Sequence, residues 1–125
     1  MIHLASLSPG TRTSLPELAA AIEVPDQFLS KVLQMLCRRR FIHSHRGVSG
    51  GFELAVDPET ISVLEVIETI EGPIQLNICL GPGLGCNRKL RCPAHLVWAE
   101  AQEALQAVLR RASIAKLART STQVN

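Results

Sequence analysis

Residues 79–95 constrain this chain more than any other stretch. They carry Cys79, Cys86 and Cys92, three of its four cysteines, with His95 three positions after the last, in the pattern C-x6-C-x5-C-x2-H. Gly81, Pro82, Gly83, Gly85 and Pro93 in the same run oppose a regular helix or strand. The run must therefore be a loop, with the ordered elements on either side of it. Its glycines supply backbone shapes that let three sulfurs and an imidazole turn toward one centre. Cys79, Cys86, Cys92 and His95 are thus candidate ligands of an iron–sulfur cluster, which cysteine thiolates hold. Zinc is the alternative, because three Cys and one His form an acceptable tetrahedral set. The spacing shows neither the short C-x2–4-C knuckle usual in structural zinc sites nor the runs of ferredoxins, and by itself leaves both open.

At 125 residues the chain is one domain, or one small domain with an appended arm. A domain of this size buries a modest share of its surface, which leaves room for support from a partner subunit or a metal. The opening residues lack the basic region and long apolar core of a signal peptide. No apolar run is long enough to span a bilayer. The expectation is a cytoplasmic protein with no membrane partner, in which clustered cysteines serve metal or redox chemistry rather than disulfides. The net charge of +2 hides a pattern: residues 1–50 hold six Lys/Arg against three Asp/Glu, 51–78 none against six, and 79–125 seven against two. A basic first part is compatible with a nucleic-acid surface, although charge alone does not decide it.

Ser14, Leu15, Pro16 and Glu17 form a capping box that opens a short helix to about Ile22. Glu23, Val24 and Pro25 break it. A second helix starts near Asp26 and carries an apolar stripe of Phe28, Leu29, Val32, Leu33 and Leu36. Its other side shows Gln27, Ser30, Lys31, Gln34 and Arg38. Two helices joined this closely read as a helix-turn-helix, whose second helix enters a DNA major groove. Two strands follow, near 41–46 and 52–55, around the turn Gly47-Val48-Ser49-Gly50-Gly51, which completes a winged helix. Arg46, at the shoulder of the wing, suits a minor groove or a phosphate. Gln27, Ser30 and Lys31 are the candidate base or groove contacts. Cys37 reads as a small buried hydrophobe, His43 and His45 as exposed polar positions of a wing strand.

A second capping box at Ser62 and Glu65 opens a helix with Val63, Val66, Ile67 and Ile70 on its apolar side, stopped by Gly72-Pro73. Beyond the loop, Pro93 is placed to start a long helix to about Arg111. Val97, Ala101, Ala104, Val108 and Ala112 recur in it at nearly heptad spacing, which suits pairing with a second copy. Trp98 reads as a packing anchor, Ser113 as the cap of a last short turn, and residues 120–125 as a frayed tail.

These residues resemble the IscR/NsrR-type bacterial transcription regulators, dimeric winged-helix proteins that carry an iron–sulfur cluster. The likeness rests on the wing run from Arg46 through Ala55, the Glu71-Gly72-Pro73 stop, the three cysteines, and the run Cys92-Pro93-Ala94-His95-Leu96-Val97-Trp98. It covers nearly the whole chain. The resemblance implies a cluster on Cys79, Cys86 and Cys92, with His95 as the fourth ligand of a 2Fe–2S type. It also implies double-stranded promoter DNA as partner and a homodimer through the long C-terminal helix. Relatives carry most of a further helix before this point, and residues 1–7 look like only its tail. The first two cysteines are also one residue further apart than in most members.

The expected architecture is mainly α. A winged helix-turn-helix region (1–58, first helix short) leads to a connecting helix (59–75), a cluster-binding loop (76–95), a dimerisation helix (93–113) and a tail (114–125). An enzyme is not expected: no nucleophile–base pairing, carboxylate pair, phosphate-binding glycine loop or C-x-x-C stands out. Two functions remain in view. One is a promoter-binding regulator controlled by an iron–sulfur cluster; the other is a zinc- or cluster-stabilised interaction protein that no longer binds DNA strongly.

Overall fold

The computed structural model describes residues 1–83 and 85–124. In chain order they form helices α1 (Ile2–Ser6), α2 (Leu15–Ala21) and α3 (Asp26–Arg38), and strands β1 (Ile42–His45) and β2 (Gly51–Leu54). Helices α4 (Val63–Glu71), α5 (Pro93–Arg111) and α6 (Ile114–Val124) follow. Two short 3-10 turns, Ile78–Leu80 and Lys89–Arg91, lie in the cysteine loop. The fold is mainly helical with one antiparallel two-stranded sheet, the winged helix-turn-helix expected.

Both capping boxes form. The amides of Ser14 and Ser62 each donate to the carboxylate of the glutamate three residues on, at 2.8 Å, and each serine hydroxyl accepts from that glutamate's amide. Otherwise orphaned N–H groups are satisfied in pairs this way. The helices of the winged helix-turn-helix region, the head of the molecule, end alike. After α2, the Val24 amide reaches the Ala19 carbonyl and the Glu23 amide that of Ala20; after α3, Phe41 reaches Leu36 and Arg40 reaches Cys37. These are Schellman closures, which turn the chain sharply through one left-handed residue. Glu23 and Arg40 occupy that position with φ of 54° and 59°, where glycine is usual.

The core of the head is Leu4, Leu18, Ala19, Leu29, Leu33, Leu36 and Ile42, with Phe52, Leu54, Val66 and Ile70 packed on it. The hairpin pairs Ile42 with Leu54 and His45 with Gly51. Thr13 adds a third edge, exchanging amide–carbonyl bonds with Phe52 at 2.9 and 3.1 Å. Gly51 is required there, because a Cβ would come within 2.7 Å of the Thr13 carbonyl oxygen at a φ of 143°.

Helix α4 packs on both α3 and α5, and the first 3-10 turn packs on α5. At the other end of α5 the chain returns to the head: Val63 donates to the Ala112 carbonyl at 2.8 Å and Ile114 to that of Ile61 at 2.9 Å. Helix α6 then packs on α1, burying Ile114, Ala115 and Ala118. Ser113 caps it, as expected, by accepting from the Lys116 amide at 3.1 Å. The frayed tail expected at 120–125 is a correction: the short turn expected after Ser113 is a helix that continues through residue 124, because Ile114, Ala115, Leu117 and Ala118 give its start an apolar face with a place to dock; Asn125 lies outside the described residues.

Candidate functional site

Helix α3 divides as its sequence pattern predicts. Leu29, Leu33 and Leu36 are buried, while Gln27, Lys31, Gln34 and Arg38 are exposed and Ser30 is half-buried. Gln27 and Lys31 therefore stand free on the reading helix, with Ser30 partly sheltered. Phe28, placed on the apolar stripe, is instead 59% exposed. Arg46 is exposed where β1 ends, just before the turn in which Gly50 donates to the Gly47 carbonyl at 3.0 Å. Arg38, Arg39 and Arg40 are all exposed. Cys37 is half-buried against the core, and burial pushes its thiol up, away from the reactive thiolate.

One expectation at the wing fails. His45 is not simply exposed: its Nε2 lies 2.6 Å from Glu53 Oε1, and Arg12 Nε lies 3.5 Å from Glu53 Oε2. The Glu53 carboxyl is held below the usual carboxylate range chiefly by its contact with His45, to which the charge and hydrogen bond of Arg12 add less. The alternation of His43 and His45 was legible, but their carboxylate partner depends on a register that only the folded hairpin fixes.

In the cysteine loop all four expected ligands keep free donors. Cys79 is buried, Cys86 and Cys92 are half-buried, and every cysteine is a free thiol. His95 Nδ1 is shut off from solvent yet has no hydrogen-bond partner, a costly state for a ring nitrogen unless a ligand meets it. The loop is tied to α5 where the Leu76 amide donates to Gln102 Oε1 at 3.1 Å. Cys86 and Cys92 line one open cavity of about 990 Å³, together with Arg88, Lys89 and Arg91. Cys79 and His95 do not line it, and among the described residues no group of three or more His, Cys, Asp or Glu is gathered to hold a metal ion. The donor chemistry fits a cluster or zinc; the four donors stand in an open arrangement.

Helix α5 has no buried residue. Of the expected seam, Val97, Ala101, Ala104 and Val108 are exposed and Ala112 half-buried. Leu96 is 74% exposed, and Trp98, expected as an anchor, is 41% exposed. Among the described residues, no helix is long and apolar enough to cross a membrane.

Comparison with known proteins gives a consistent result. The family Rrf2, described as an iron-dependent transcriptional regulator, matches residues 1–120. An HTH-type transcriptional regulator of Mycobacterium tuberculosis strain H37Rv is 42% identical over 74 residues, 59% of this chain and 46% of that protein. The chain thus spans about half the length of that curated relative. The HTH-type transcriptional regulator IscR of Klebsiella pneumoniae is 26% identical over 117 residues, 94% of this chain and 71% of that one. Among solved structures, CymR, the global cysteine regulator of B. subtilis, superposes with a TM-score of 0.76 at 25% identity, covering 95% of this chain and 87% of that one. T. potens IscR has the same fold, with a TM-score of 0.78 at 20% identity, covering 99% of this chain and 81% of that one.

Proposed function

The chain belongs to the Rrf2 family of iron-dependent transcriptional regulators, and from that premise we propose that it is a promoter-binding homodimer whose hold on DNA is set by an iron–sulfur cluster. The observation that carries the cluster reading is His95 Nδ1, buried without a partner at the end of a run that also carries three free thiols. Cys79, Cys86, Cys92 and His95 would hold the group, and the imidazole favours the 2Fe–2S type. When bound, a cluster with imidazole in place of thiolate has a raised reduction potential. In this reading the reading head spans 1–58, the connecting helix 59–75, the cluster loop 76–95 and the dimerisation helix 93–113.

The chain's own residues supply the rest. Gln27, Ser30 and Lys31 enter the major groove, and Arg46 clamps a phosphate or the minor groove. The exposed Val97, Ala101, Ala104 and Val108 pair with their copies, giving the two-fold symmetry of a palindromic site. Ordering of the loop pulls on α5, whose far end is bonded to the start of α4, which packs on α3.

Protein purified without oxygen tests this. Iron and acid-labile sulfide in equal amounts are expected, with salt-dependent binding to a promoter duplex that changes when the cluster is removed. Cys86→Ala loses the cluster but keeps the helical circular dichroism. A colourless zinc protein overturns the cluster; a cluster protein blind to duplex DNA favours an interaction protein instead. The open arrangement of the four donors favours one second reading, a regulator that works with free thiols, whose signature is iron-free protein that binds DNA.

A further inference from the structure

We propose that Glu53 is a positioning residue for DNA binding: with Arg12 and His45 it clamps the root of the wing and so sets the grip of Arg46 on DNA. The proposal rests on the reading of Arg46 as a DNA contact.

The geometry follows from register. His43 stands opposite Glu53 and His45 opposite Gly51, so His43, His45 and Glu53 share the outer face of the hairpin. Glu53 reaches diagonally to His45, over a partner that has no side chain. The Thr13–Phe52 bridge sets Arg12 beside Glu53 from the other edge. One carboxylate thus joins three chain segments: the strand that leads into the wing, the strand that leaves it, and the segment that leads into α2. It is well sheltered, at 17% exposure, against 31% for His45 and 44% for Arg12.

Arg46 directly follows His45, and the turn beyond it is closed by a single backbone bond between Gly50 and Gly47. The direction in which Arg46 leaves the sheet is therefore set mainly by how firmly His45 is held. The groups around His45 are Glu53 from β2, with Arg12 on that carboxylate's other oxygen, His43 on its own strand with ring centroids 6.3 Å apart, and its neighbour Arg46. Glu53 is the one anion among them, and its carboxylate is what holds the root of the wing together.

The test uses the full chain and a generic 40-base-pair duplex at neutral pH and constant ionic strength, with amide hydrogen exchange of residues 47–51 as a second readout. Glu53→Gln and His45→Ala are each expected to weaken binding about threefold, and their wing amides exchange faster than wild type's. His43→Ala keeps both the affinity and the protection. Wild-type affinity and exchange in Glu53→Gln and His45→Ala overturn the clamp, as does a loss seen only in His43→Ala. Arg46→Ala separates the two readings. If its affinity is unchanged while Glu53→Gln binds less well, the Arg46 contact fails and the clamp stands.

Discussion

The reading head and the cysteine loop with α5 are made of similar residues and reach opposite states. In the head, leucines are buried, serines cap, and Glu53 has two partners. In the loop and α5, Leu90, Leu96, Val97 and Val108 face solvent, and His95 keeps a buried nitrogen with nothing to bond. The head is complete within one chain. The other region leaves apolar side chains of α5 exposed and a ring nitrogen of the loop unpartnered, and the proposed function assigns the first to a second copy and the second to a cluster.

The sharpest way to break that contrast is a matched pair of truncations. Leu36→Ala, in the head, is expected to cost about 2–5 kcal/mol in urea unfolding, while Leu96→Ala, on α5, stays within about 0.5 kcal/mol for the separated chain. Equal costs would mean that α5 is not an open surface. Next in size, Val97→Glu with Val108→Glu should weaken self-association by about tenfold or more, since each valine gives up burial worth about 1.5 kcal/mol. Sedimentation equilibrium reads this, and an unchanged dimer would remove the seam from the interface.

Ser62→Ala follows, at about 1 kcal/mol for a lost cap. Glu65 is held below the usual carboxylate range by its bonds from the Ser62 amide and hydroxyl. A carboxyl whose folded pKa is depressed stabilises above its unfolded pKa and loses that contribution as pH falls through the folded one. Wild type should therefore lose stability below the usual carboxylate range more steeply than Ser62→Ala. The smallest change is a gain. Arg40→Gly relieves the left-handed residue after α3 and is expected to stabilise by about 0.5–1 kcal/mol in thermal unfolding. A loss there would mean that the Arg40 side chain holds the turn.

Much of the head and of α4 was legible in the sequence because their signals are local. Ser14 with Glu17 and Ser62 with Glu65 each announce a helix start within four residues, and the glycines around Val48 announce a turn. Contacts between distant segments were not legible. Nothing near Thr13 marks it as the partner of Phe52, and Glu53 meets His45 only in the folded hairpin and Arg12 only once that bridge has formed. Residues 114–124 read as a tail for the same reason: small apolar residues become a packed helix only against α1. The cysteine loop was legible as chemistry and not as shape, since spacing names the donors while the open glycine-rich backbone leaves their distances free.

The docking of α6 on α1 bears on how the protein is made. A ribosome delivers α1 long before α6, and domains generally fold as their chain emerges, N-terminal part first. Here α1 has no α6 to pack on until residues 114–124 have left the exit tunnel. A stop codon anywhere within α5 would leave every proposed DNA-contacting residue intact and still remove the helix on which α1 packs.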